Sequence, residues 1–133
     1  MQIIEVRLLD CAFHYEPGCT AQCEMDVKVD VAVGVGFVPE TDTITCSVRA
    51  SNDGKDVPFT FDVTMGGQFR INEDVRGDVD RLSRINAPAI ILPFVREFVA
   101  DLTRRAGCDP LYLPTMNFVE AFAKAGEQKQ IAE

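Results

Sequence analysis

The sequence predicts an α+β fold: a four-stranded antiparallel sheet with one long helix and a shorter C-terminal helix packed on one face. Two observations carry this. In the first half, apolar residues recur at every second position in four separate runs, the period of a pleated strand. In the second half the spacing lengthens to that of a helix with one apolar stripe. The 133 residues are expected to form one domain, numbered 1–133. A chain of this length buries about two-thirds of its unfolded surface and needs neither disulfide nor metal to fold.

The second strand is the clearest. Val27, Val29, Val31, Val33, Val35 and Phe37 alternate with Asp26, Lys28 and Asp30, which gives a strand over about 25–37 with one apolar face. Ile44, Cys46, Val48 and Ala50 repeat the pattern over about 42–51, and Val57, Phe59, Phe61, Val63 and Met65 over about 56–66. The first strand, about 2–15, changes phase: Ile4, Val6 and Leu8 share one face, then Leu9, Cys11 and Phe13 share the other. A β-bulge near Leu8-Leu9 reconciles them. Turns are expected at Glu16-Pro-Gly, Pro39-Glu-Thr-Asp and Asn52-Asp-Gly, the last being the strongest hairpin signal. Gly34 and Gly36 suggest a bulge near the end of the second strand, and Gly66-Gly67 a tight turn after the fourth.

One apolar sheet face has to be covered. Ile90, Ile91, Phe94, Val95, Phe98, Val99 and Leu102 supply the cover as a helical stripe over about 88–106, with Gly107 as its C-terminal cap. Pro93 falls inside that helix, where a proline removes one backbone hydrogen bond. A short helix from about Asp78 to Ile85 precedes it, ending before Asn86-Ala-Pro. Asp109-Pro-Leu-Tyr-Leu-Pro reads as extended. Asn117 caps a last helix over about 118–125, and the tail 127–133 is expected to fray.

Composition excludes several classes. Acids outnumber bases 21 to 13, so no basic face is available for nucleic acid. No run approaches the ~18 apolar residues of a membrane span. Met1-Gln-Ile-Ile-Glu-Val-Arg shows no basic region leading into an apolar core, so no secretory signal is expected. Five cysteines without a tight framework suit a reducing, cytoplasmic compartment.

Catalytic chemistry lacks a constellation. His14 is the only histidine and has no nucleophile elbow beside it. Asp26 and Asp30 read as a solvated stripe rather than an acid–base pair. Cys19-Thr-Ala-Gln-Cys23 has near-ligand spacing, and a tetrahedral zinc site would need Cys11 and His14 as well. Spacing alone is weak, and the reading adopted is that Cys11 is a small buried strand hydrophobe. No metal, cofactor or enzymatic activity is expected.

Three later segments carry a family resemblance. Phe61-Asp-Val-Thr-Met-Gly-Gly-Gln-Phe-Arg-Ile resembles the last strand of the SecB export chaperones running into its crossover. Asn86-Ala-Pro-Ala-Ile-Ile-Leu-Pro-Phe-Val-Arg-Glu resembles the start of that family's long helix, its proline included. Leu111-Tyr-Leu-Pro-Thr-Met-Asn-Phe resembles its extended hinge and last helix. The resemblance is strong from about Phe59 to Phe122 and patternwise before that.

It implies a homotetrameric holdase, a dimer of dimers, that keeps unfolded or precursor polypeptides competent for translocation and passes them to the SecA motor. The client-binding positions it implies are Phe13, Phe37, Phe69, Leu111, Tyr112, Met116, Phe118 and Phe122. Asp10 and Asp62 match acidic SecA-docking positions, while His14 stands at a third. Phe94, Phe98 and Leu102 are implied at the subunit interface. The loop after the first strand is shorter than in the family and lacks its tryptophan. The alternative reading is a SecB-like dedicated chaperone or adaptor for one client, such as an antitoxin, without an export role. A small-molecule carrier using the same groove is a third.

Overall fold

The computed structural model describes residues 1–16, 27–54, 57–114 and 116–120. Four strands, β1 (Gln2–Tyr15), β2 (Val29–Val38), β3 (Thr43–Asn52) and β4 (Phe59–Arg70), form one antiparallel sheet in the order β1-β4-β3-β2. The long helix, Ala87–Arg105, lies across β3 and β4. The four-stranded antiparallel sheet with one long helix is the architecture the apolar periods predict.

The covered face follows from the pairing. Residues directly opposite each other in an antiparallel pair share a face. Val63 and Phe69 of β4 stand opposite Ala50 and Ile44 of β3, and Phe61 and Val48 share that face beneath the helix, all six buried. From the helix, Ile91, Val95, Val99 and Thr103 descend onto them at successive i, i+4 positions. Each large apolar side chain sealed there contributes about 1.5–3 kcal/mol. Phe94, Phe98 and Leu102 form the neighbouring i, i+4 row and stay partly outside this core.

β1 carries the expected shift between Leu8 and Asp10, and a second between Ile3 and Glu5. Leu9 is therefore the extra residue. It crosses to the open face and lies over Gly66, while Leu8, Cys11 and Phe13 pair with Met65, Val63 and Phe61.

Several glycine and turn expectations need correction. Gly66-Gly67 is no turn, because β4 continues to Arg70. The doublet admits close approach on both faces: a Cβ on Gly67 would meet Phe69 ring carbons at 3.0 Å and Ile91 Cδ1 at 3.2 Å. Gly34 and Gly36 mark no bulge, since β2 pairs β3 without a shift from Val29 to Val38. Ser47 Oγ and Thr45 Oγ1 occupy the space their side chains would need. At the β3–β4 connection Gly54 takes the left-handed region at φ 75°. Asn52 accepts the Phe61 N–H at 2.8 Å and donates to the Phe59 carbonyl at 3.1 Å.

The crossover to the helix is irregular: a 3₁₀ segment (Glu73–Asp78), one α turn (Val79–Arg81) and a π-helical turn (Leu82–Asn86). The break expected at Asn86 does not occur, because Asn86 itself is helical at φ −73°, ψ −46°. The widened turn lies just before Pro88, where a tight α ladder would meet the missing N–H and the ring. Arg76 fastens this crossover to the β2–β3 turn, donating to Asp42 Oδ1 at 2.5 Å and to the Pro39 carbonyl at 3.2 Å. The long helix runs through Pro93, which is exposed. Its end is a Schellman motif: Cys108 N–H reaches Thr103 O, Gly107 N–H reaches Arg104 O, and Gly107 sits at φ 85°. Asn117 Oδ1 accepts the Glu120 N–H at 3.1 Å, the cap of the last helix. That helix is described only over Phe118–Glu120.

Candidate functional site

The extended segment after the helix is held by one buried hydroxyl. Thr103 Oγ1 donates to the Val99 carbonyl at 3.1 Å and accepts the Leu111 N–H at 2.9 Å. Leu113 is sealed, so its neighbour Tyr112 is turned outward and is 69% exposed. Tyr112 meets Phe94, Phe98, Met65 and Pro110 around an open groove of about 660 Å³. Its rim carries Arg96, Glu97, Asp101 and Arg104 from the polar side of the helix. Phe94, 45% exposed, forms one apolar wall.

A second, smaller hollow of about 400 Å³ opens between the crossover, the long helix and the last helix, lined by Ile85, Ala89, Met116, Phe118 and Val119. Met116 and Val119 are exposed there, whereas Phe118 is sealed.

The described members of the sequence-predicted binding set therefore occupy five places rather than one. Tyr112 and the half-buried Leu111 lie after the long helix, and Met116 and Phe118 at the second hollow. Phe13 is half-buried on β1 and stacks on Phe59 with ring centroids 6.1 Å apart. Phe37 is half-buried opposite Ile44 near the other sheet edge. Phe69 is 0% exposed and lies under the helix, where it supports Gly67 and Ile91 but cannot meet a ligand. Phe122, Cys19 and Cys23 lie outside the described residues. Phe94 and Phe98, read as interface positions, share the groove of Tyr112.

The sequence reading missed further open apolar side chains: Ile3, Ile4 and Leu8 on β1, and Val33 and Val35 on β2. The helix is centred on β3 and β4, so both outer strands keep part of their apolar face. The adjacent Ile3-Ile4 doublet was the one sequence signal for the second β1 shift. Cys11, expected buried, is exposed for the same reason.

On the open face, Asp10 and Asp62 come together around Arg49. The Arg49 guanidinium grips Asp62 through both oxygens, Nε to Oδ1 at 2.8 Å and the second nitrogen to Oδ2 at 2.5 Å. That grip holds the Asp62 carboxyl below the usual carboxylate range. Arg49 was visible in the sequence only as a polar-phase residue; the register that sets it beside Asp62 was not. His14 stands at the same face, within 3.1 Å of Glu16.

Among the described residues no group of three or more His, Cys, Asp or Glu side chains could hold a metal ion. Among the same residues, no helix is long and apolar enough to cross a membrane.

The chain matches the family described as preprotein translocase subunit SecB over residues 15–129. It is 30% identical to the protein-export protein SecB of Bartonella bacilliformis over 113 residues, covering 80% of this chain and 70% of that one. To the protein of that name from Acidithiobacillus ferrooxidans it is 34% identical over 88 residues, covering 66% of this chain and 58% of that one. In fold it is similar to a SecB-like chaperone of Mycobacterium tuberculosis solved with a ChAD peptide from an antitoxin. The TM-score is 0.66 at 19% identity, over 87% of each chain. The sheet order, the helix laid across it and the match over most of the sequence place this chain in the SecB family of protein-export chaperones.

Proposed function

We propose that this chain is a holdase. It binds unfolded or precursor polypeptides on apolar surface left open beside the long helix, keeps them translocation-competent and delivers them to the SecA motor. The observation that carries this is the groove of Tyr112, Phe94, Phe98 and Met65, apolar at its centre and charged at its rim. An unfolded chain offers apolar side chains without fixed order, and an open surface of adaptable aromatic and methionine side chains suits such a ligand. Leu111, Met116 and the partly buried Phe13 and Phe37 extend the contact surface; Phe69 and Phe118 act as its support. Phe94, Phe98 and Leu102 also suit packing against a second subunit in a homotetramer, with the client then reaching Tyr112 from the rim. The chain works without a cofactor, without catalysis, and in the cytoplasm.

The test is suppression of aggregation of a chemically unfolded client, without nucleotide. Stoichiometric suppression supports the proposal, and none at excess chaperone overturns it.

One observation favours the second reading, a dedicated chaperone or adaptor for a single client. Asp62, one of two acids available for SecA docking, is already engaged by Arg49. Binding of the SecA C-terminal tail decides: retention supports the export role, and its absence, with client binding intact, supports the dedicated one.

A further inference from the structure

The crossover between β4 and the long helix is anchored at both ends and loosely held between them. Ile71 is buried and its N–H reaches the Asp42 carbonyl at 2.9 Å, and Ser83 is buried at the other end. Over residues 72–82 no side chain is sealed. Val75, Val79 and Leu82 rest half-buried against the core, and the other eight residues are exposed. Among the described residues, the polar contacts that join this stretch to the sheet are both made by Arg76, to Asp42 and to the Pro39 carbonyl. Few buried apolar contacts and one tie mark a segment that opens locally at low cost.

The backbone agrees. Glu73–Asp78 is 3₁₀, a helix of poor hydrogen-bond geometry that is uncommon in runs of this length. Gly77 lies in it without a positive φ and with nothing within 4 Å of the Cβ it lacks. The closed form therefore gives glycine no steric role there, and what it supplies is backbone freedom. The other half of the tie is fixed. Asp42 takes the left-handed region at φ 50° in the β2–β3 turn, and its own carbonyl receives the Ile71 N–H.

We propose that residues 72–82 form a strap that the Arg76–Asp42 ion pair latches shut, and that its release uncovers apolar surface at the β2–β3 end of the core for an unfolded polypeptide. Phe37 and Ile44 stand directly opposite each other and flank the turn to which Arg76 is tied. The π-helical turn next to the strap touches both of their strands. Phe37 is half-buried and Ile44 sealed while the strap is down. The Arg76 side chain is 45% exposed, so salt in the medium weakens the pair. The latch thus makes the apolar area on offer depend on ionic surroundings, and keeps it covered in the idle carrier, where open apolar patches favour self-association. This regulation rests on the holdase reading.

Amide exchange and client affinity are measured on the full chain for the parent, Arg76→Gln, Asp42→Asn and Gly77→Ala, each shown by thermal melting to fold. Asparagine tolerates the left-handed region, so Asp42→Asn removes the charge and leaves the turn. Exchange at Val75, Val79 and Leu82 is expected to be about three- to tenfold faster in Arg76→Gln and Asp42→Asn and slower in Gly77→Ala, with Val48 and Val63 unchanged. Added salt should speed the strap amides relative to Val48 and Val63 in the parent, and not in Arg76→Gln. A chemically unfolded client should bind Arg76→Gln and Asp42→Asn at least about threefold more tightly than the parent. Unchanged strap exchange in Arg76→Gln overturns the latch. So does equal acceleration of the strap and of Val48 and Val63, which marks plain destabilisation. Faster strap exchange with unchanged client affinity overturns the gate and leaves the holdase reading standing. Absence of client binding by the parent and every variant fails both.

Discussion

The glycine doublet of β4 offers a test of the layer assignment within two adjacent residues. Gly67 faces the helix, and a Cβ there would lie 3.0 Å from two ring carbons of Phe69 and 3.2 Å from Ile91 Cδ1. Both neighbours are fully buried, so neither can retreat. Overpacking of this kind costs about 1–3 kcal/mol. The change from glycine also restricts the unfolded chain, which returns about 0.4–1 kcal/mol. Gly67→Ala is therefore expected to destabilise by about 1–2 kcal/mol, a shift of roughly 1 M in the urea midpoint for a small domain. Gly66 faces the other way. A Cβ there would lie 2.5 Å from Leu9 Cδ1, a tighter contact on paper, but Leu9 is 56% exposed and can swing into solvent. Gly66→Ala is expected to cost less than about 0.5 kcal/mol. Adding Ile91→Val to Gly67→Ala removes one colliding methyl and should give a penalty smaller than the two single effects together. Urea unfolding of the parent, the three single variants and the double variant checks the set. If Gly66→Ala proves as costly as Gly67→Ala, the assignment of covered and open faces is wrong.

Three further outcomes follow from single contacts. Thr103→Val leaves the Leu111 N–H without its acceptor, so it should cost about 1–3 kcal/mol and speed amide exchange at Leu111 and Tyr112. Burial pushes the Cys46 thiol up to about 11 from an ordinary 9.0. The folded protein then keeps a proton that the unfolded chain releases, so stability should fall as pH rises from about 9 to about 11, and Cys46→Ala should flatten that fall in urea titrations. Arg49→Ala should let the Asp62 carboxyl pKa rise toward its usual range, measured by carbon NMR. The stability Asp62 gains from its depressed pKa is present above the unfolded value and lost as pH falls through the folded one, so the variant should lose that acid-side dependence.

The fold was legible because its two layers have different periods. β2 shows this most plainly: five apolar residues at alternate positions, Val29 to Phe37, can lie on one face only if the segment is extended. Asn117 and Gly107 were readable for a related reason, since capping depends on a few neighbouring residues. Errors arose where distant residues decide local structure. Gly66-Gly67 reads as a turn until Phe69, Ile91 and Leu9 are seen to need the space. Asn86-Ala-Pro reads as a break until the π-helical turn absorbs it. The site was legible in residue type more than in grouping. Tyr112 was named through the family resemblance alone; that it turns outward beside the sealed Leu113 and meets Phe94 depends on the Thr103 tie. Phe69 and Tyr112 are both aromatics near a motif, and only the three-dimensional packing separates a support from a contact. Arg49 and Asp62 are thirteen residues apart and paired by strand register, which composition does not reveal.

On the reading proposed above, unfolded polypeptide rests on the apolar surface beside the long helix and not on the polar face of the sheet. Site-specific photocrosslinking tests it most directly, with a benzophenone side chain placed at Tyr112 or, as an exposed control on the opposite face, at Thr60. Abundant adducts to an unfolded client are expected from position 112 and few from position 60. Equal yields, or adducts from position 60 alone, would contradict it.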